Sequence, residues 1–248
     1  MVRACLETQA SDKLRALTEH PKIQERLPGF KVSMGYGLHA GWAIEGAIGS
    51  MLKIDASYLS PHVNLAARLE TGAGALSSGF YKHARARAHT RTHTHTHTHT
   101  GTHQFGVDIL FSDCVYDMIS PRVQSLCRKI DRVTVKGSVQ PITLYTYDVP
   151  PCDVSTVEEL YKDADLDDED FDFWDYFRPR SSRTYRKRHA DAVASYLEGN
   201  WLDARKGLEL CLIEWSSDGA SKVVLEFMRS KNFRVPDDWK GFRALTSK

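Results

Sequence analysis

Apolar positions recur along the chain at two spacings, and the changes from one to the other mark out the elements. Between Ser11 and Leu27 the apolar residues Leu14, Leu17, Ile23 and Leu27 fall at the three-to-four-residue step of a helix face, and His20-Pro21 predicts a break within it. Pro28-Gly29 reads as a turn. From Lys31 to His39 the pattern changes to alternation, which predicts a strand. Gly35 and Gly37 within it would let another backbone or a ligand approach closely. Trp42 to Ile48 is a second apolar run closed by Gly49-Ser50, and Leu52 to Leu59 is its expected strand partner. Ser60-Pro61 then opens a helix at about Val63, which runs through Asn64, Ala66, Ala67 and Arg68 and fades at Thr71-Gly72.

Regular patterning stops there and resumes at Phe105. GVDILFS is a buried-strand pattern, Val115 to Leu126 predicts a helix interrupted by Pro121, and Ile130 to Val149 predicts two strands around Lys136-Gly137. An acidic run from Asp163 to Asp175 and a basic run from Arg178 to His189 suggest a solvated linker, because blocks of like charge repel. From Ala190 onward the pattern is helical, with Asp218-Gly219 separating two helices. The expected organisation is a mixed domain over 1–150 with a low-complexity His/Thr insertion at 72–104, a charged linker over 151–189, and a helical tail over 190–248. For Trp201 and Trp239 in that tail, core packing is the expected role.

Composition narrows the function classes. A chain of 248 residues suits one or two domains and can bury a real core. With 33 Lys and Arg against 32 Asp and Glu, bulk charge gives no argument for nucleic acid or a membrane surface as partner. The five cysteines are scattered without a CxxC pair, which fits reduced intracellular thiols. No run of about 18 apolar residues is present, and Met1–Ala10 has no hydrophobic core of a leader. The expectation is a soluble cytoplasmic chain, or the cytoplasmic part of a larger membrane protein.

Asn64 and Arg68 lie four apart, so on a helix they share one face and could hold one ligand between them. They sit among four blocks in a fixed order: GLHAGWAIEGAIGS (Gly37 to Ser50), VNLAARLE (Val63 to Glu70), FGVDILFSD, and RVTVKGSVQPITLYTYDV. Together these resemble the second half of a class III nucleotidyl cyclase catalytic domain, with Ala67 where the family usually has serine. The resemblance implies an α+β, ferredoxin-like domain lacking its first strands. It also implies conversion of ATP or GTP to the 3′,5′-cyclic nucleotide and pyrophosphate in intracellular signalling. In that reading Asn64 orients the ribose and Arg68 meets the phosphates. The base-reading position falls on Ser57, with Asp55 two residues away, and Lys136 is a further substrate-binding candidate beside Ser138, where the family often has a phosphate-binding lysine.

The family also implies Mg²⁺ or Mn²⁺ on two aspartates, but these belong to the upstream half, and no metal ligands are assigned in this chain. Little or no activity is therefore expected of the isolated chain. Because the family's site lies at a dimer interface, a homodimer or a second cyclase domain is the expected partner. The alternative is a non-catalytic cyclase-like module for dimerisation or regulation. The alternating His93, His95, His97 and His99 would share one face of an extended strand and could chelate Zn²⁺ or Ni²⁺. A His-Thr alternation is also what a CA dinucleotide repeat encodes, and low complexity is the preferred reading.

Overall fold

The computed structural model describes residues 1–30, 34–73, 105–135, 140–150 and 173–245. Three short helices open the chain: α1 (Val2–Gln9), α2 (Asp12–Glu19) and α3 (Pro21–Arg26). The break foreseen at His20-Pro21 separates the last two. Pro21 takes the first helical position, where it has no hydrogen bond to forfeit. The sequence reading assigned no element to α1. Val2, Cys5, Leu6 and Ala10 line one of its faces and pack on Ile109, Phe111, Tyr147, Phe173 and Phe177.

The expected α+β class is what the chain adopts. Strands β1 (Tyr36–Leu38), β4 (Ile109–Ser112), β5 (Arg128–Val135), β6 (Ile142–Thr146) and β7 (Arg243–Leu245) form one mixed sheet in the order β1-β4-β6-β5-β7. The two edge strands run parallel to their neighbours and the inner pairs are antiparallel. Successive side chains of β4 serve opposite faces, as the two-residue period of a strand requires. Ile109 and Phe111 join the cluster under α1, whereas Leu110 joins Leu69, Phe105, Ile130, Val133, Ile142 and Leu144 on the other side. Both faces are covered, which is why ILFS reads as an unbroken buried run. A separate antiparallel hairpin, β2 (Ile44–Gly49) with β3 (Ile54–Leu59), stands outside this sheet, in the register Ile44↔Leu59 to Gly49↔Ile54. Helices α4 (Pro61–Ala73), α5 (Asp113–Met118) and α6 (Pro121–Gln124) complete this part.

The basic run through His189 is not a linker where it is described. Arg183 to His189 forms the first turns of α8 (Arg183–Glu198), which follows α7 (Phe173–Tyr176). Ser182 caps its N-terminus by accepting from the Tyr185 amide. Tyr185, His189, Ala192, Val193 and Tyr196 are buried along one face, while Arg183 and Lys187 are exposed and the half-buried Arg186 donates to the Ser181 carbonyl. Helices α9 (Trp201–Glu214) and α10 (Gly219–Ser230) pack with α8 around the buried Trp201. Trp239, partly buried, donates from its indole to the Leu197 carbonyl, so both tryptophans serve the core as expected. The His/Thr tract and most of the acidic run lie outside the described residues.

The tail is tied to the sheet by buried charge. Arg128 on β5 donates from Nε and Nη2 to both Asp148 oxygens at 2.7 and 2.6 Å, and reaches Asp218, the N-cap of α10, at 3.0 Å. Tyr185 donates to Asp218 at 2.9 Å, and its ring and that of Trp215 lie against the guanidinium. A second buried pair, Arg243 to Asp131 at 2.7 Å, fastens β7 to β5. Burial disfavours a charged Asp218, but the Arg128 charge and the hydrogen bonds around it prevail and hold the carboxyl well below the usual carboxylate range.

Candidate functional site

Helix α4 carries the two residues singled out by spacing. Leu69 is buried and Leu65 half-buried in the cluster on the Leu110 face of the sheet, so these two anchor one side of the helix. Asn64 and Arg68 each precede one of them by a residue, a rotation of about 100° about the axis, and both are exposed. Neither makes a side-chain hydrogen bond or ion pair among the described residues. The helix lies hard against β1. A methyl group on Gly37 would fall 1.8 Å from the Glu70 backbone nitrogen, so the close approach foreseen for this glycine is to backbone.

The two base-side candidates are on the hairpin. Ser57 is half-buried opposite Gly46, and Asp55 is exposed with its Oδ2 2.9 Å from Lys53 Nζ. Both belong to one face of β3, since they are two residues apart. No hydrogen bond or ion pair joins either of them to Asn64 or Arg68 among the described residues. Lys136 lies outside the described residues.

A cluster that sequence reading missed sits at the base of the hairpin. His39 Nδ1 lies 2.7 Å from Ser112 Oγ at the end of β4, and its Nε2 lies 2.8 Å from His62 Nδ1 at the start of α4. The two imidazoles lie within 22° of coplanar with centroids 5.0 Å apart, and Trp42 meets the His62 ring edge-on. Gly41 makes room for that ring: a methyl group there would fall 2.2 Å from His62 Cγ. Burial and the neighbouring His62 lower the His39 pKa against the pull of Asp113. Ser112 is fully buried, whereas His39 and His62 are half-buried.

Four cysteines lie among the described residues. Cys5, Cys114, Cys127 and Cys211 are free, and burial pushes Cys127 up to about 12 and Cys211 up to about 11. Among the described residues no group of three or more His, Cys, Asp and Glu could hold a metal ion. The α4 pair supplies a single amide oxygen beside a cationic guanidinium, short of the several oxygen ligands that Mg²⁺ or Mn²⁺ requires, so it does not fit the cation by itself. No helix among the described residues is long and apolar enough to cross a membrane. No protein-family model matches the chain, and neither does any curated protein or solved structure.

Proposed function

We propose that this chain supplies one half of a composite nucleotide site. In it ATP or GTP closes to the 3′,5′-cyclic nucleotide with release of pyrophosphate, within a ferredoxin-like cyclase domain. The other half comes from a second copy or a second cyclase domain. The observation that carries the reading is the pair Asn64 and Arg68, exposed one turn apart on a helix fixed by Leu65 and Leu69. The planar guanidinium of Arg68 suits phosphate oxygens, and it can hold the charge that gathers on the α-phosphoryl group as it becomes five-coordinate. The Asn64 amide both donates and accepts, which suits the ribose hydroxyls. Ser57, with Asp55 beside it, would face the base, and Lys136 is a further phosphate contact. In the reaction the 3′ oxygen bonds to the α-phosphorus and its proton passes to water. The bond from that phosphorus to the bridging oxygen breaks, and pyrophosphate leaves with the electron pair.

The test is to assay the purified chain alone and mixed with a cyclase domain that carries both metal aspartates, following cyclic nucleotide by chromatography. The chain alone is expected to be inactive. The mixture should gain activity, and Arg68→Ala should remove about 10²–10³-fold of that gain. A mixture no more active than the added domain alone overturns the proposal.

The hairpin favours a second reading, a non-catalytic module for dimerisation. Ile44, Ile48, Ile54 and Tyr58 are 60%, 53%, 73% and 59% exposed, and they occupy both faces of two strands that make no third pairing among the described residues. A two-stranded hairpin is marginal in water on its own, so an apolar cover on it is expected. On this reading sedimentation shows concentration-dependent self-association, while ATP and GTP fail to bind with or without Mg²⁺.

A further inference from the structure

We infer that His39, His62 and Ser112 form a proton-counting clasp that holds the β2–β3 hairpin to the sheet and lets go when both imidazoles are charged. This goes beyond the nucleotide reading and does not depend on it. The two ring nitrogens, 2.8 Å apart, must share one proton, one ring donating and the other accepting. With both rings neutral, either His39 Nε2–H donates to His62 while the Ser112 hydroxyl donates to His39 Nδ1, or both contacts run the other way. One added proton is also accommodated. If it goes to His39, Nδ1–H donates to Ser112 Oγ and the contact between the rings survives. If it goes to His62, that ring is the donor in the contact. A second proton places two N–H groups and two positive charges face to face at this distance, and the rings must part.

The surroundings reinforce this limit. The titratable groups acting on His39 are His62 from α4 and Asp113 from α5. The Asp113 carboxylate favours the first proton, but it is itself held by the Thr143 and Cys114 amides at 3.1 and 3.0 Å. From β4 the neighbour is the Ser112 hydroxyl, and from the hairpin side it is the uncharged Trp42 ring. Burial already holds His39 toward its neutral form.

The clasp grips both ends of the hairpin. Trp42, at the entry to β2, packs edge-on against the His62 ring, and its carbonyl accepts from the Ser60 hydroxyl at the exit of β3. Ser60 Oγ in turn accepts from the His62 amide at 3.0 Å. The hairpin has little other burial, since nearly all of its residues are exposed. Parting the rings therefore frees an element that is marginal by itself.

Amide hydrogen exchange on the full chain at pH 7.5 and pH 5.0, corrected for intrinsic exchange, tests this. Protection over residues 44–59 should fall about tenfold or more at the lower pH, with 128–135 and 142–146 unchanged as internal references. In His62→Gln, which keeps a donor and an acceptor but cannot charge, that difference should vanish. Hairpin protection independent of pH in the wild type, or an equal fall in His62→Gln, overturns the clasp. Should His62→Gln not fold, ¹⁵N imidazole shifts of the wild type give the answer. The two rings should titrate in two separated steps, and two independent titrations in the ordinary imidazole range overturn it.

Discussion

Arg128 is 2% exposed, with carboxylates on two sides and aromatic rings against its guanidinium, so its charge has no water to return to. Replacing it with methionine would leave Asp148 and Asp218 facing each other without a cation. A loss of about 3–5 kcal/mol is expected in denaturant unfolding. The exposed Lys53–Asp55 pair has nearly the same separation as the buried ones, yet Lys53→Ala should cost less than about 1 kcal/mol. His189 is the second test at this scale. It is fully buried, neither ring nitrogen has a hydrogen-bond partner among the described residues although Nε2 lies 4.0 Å from Asp218 Oδ2, and burial together with the Arg128 charge takes its pKa from 6.5 down to about 3, against the pull of Asp218. A histidine with a depressed folded pKa binds its proton more readily when unfolded. Stability should therefore fall as pH drops from about 6.5 toward about 3, and His189→Leu should flatten that limb in unfolding measurements across pH. Residues linked by local spacing were legible in the sequence: Asn64 and Arg68 share an exposed helix face as their four-residue step required. The His39 contacts span 23 and 73 positions, and no periodicity encodes those distances.

Elements were legible where their pattern is long and obscured where charge decided the reading. The hairpin partners Trp42–Ile48 and Leu52–Leu59 were foreseen within two residues, because apolar β-type runs flank a Gly-Ser turn. The start of α8 was not, because a run of arginines, lysine and histidine reads as solvated until its buried face is seen. α1 was passed over because Val2, Cys5, Leu6 and Ala10 make a narrow stripe whose partners lie on other elements, from Tyr36 and Leu38 to Phe173 and Phe177. The contact between α4 and β1 gives a prediction at this scale. Gly37→Ala puts a methyl group where the Glu70 backbone now lies, so α4 must move outward. A loss of about 1–3 kcal/mol is expected and, on the proposed nucleotide reading, weaker ATP retention through the displaced Asn64 and Arg68. Calorimetry on the variant, with and without ATP, would read both effects.

At the scale of the whole molecule the C-terminal region belongs to the sheet. Arg128 reaches from β5 to the cap of α10, and β7 returns to pair with β5. Removing residues 241–248 should strip the β5 edge and leave Asp131 buried without its partner. We expect a lower Tm and aggregation on heating, followed by light scattering. That pairing also imposes an order of events during synthesis. Arg243 meets Asp131 across 112 positions, so β5 leaves the ribosome long before the strand that covers its outer edge. At about 5–20 residues per second the edge stays bare for on the order of 5–20 seconds. During that interval the nascent chain needs either a chaperone over β5 or isolation from its neighbours on the same message.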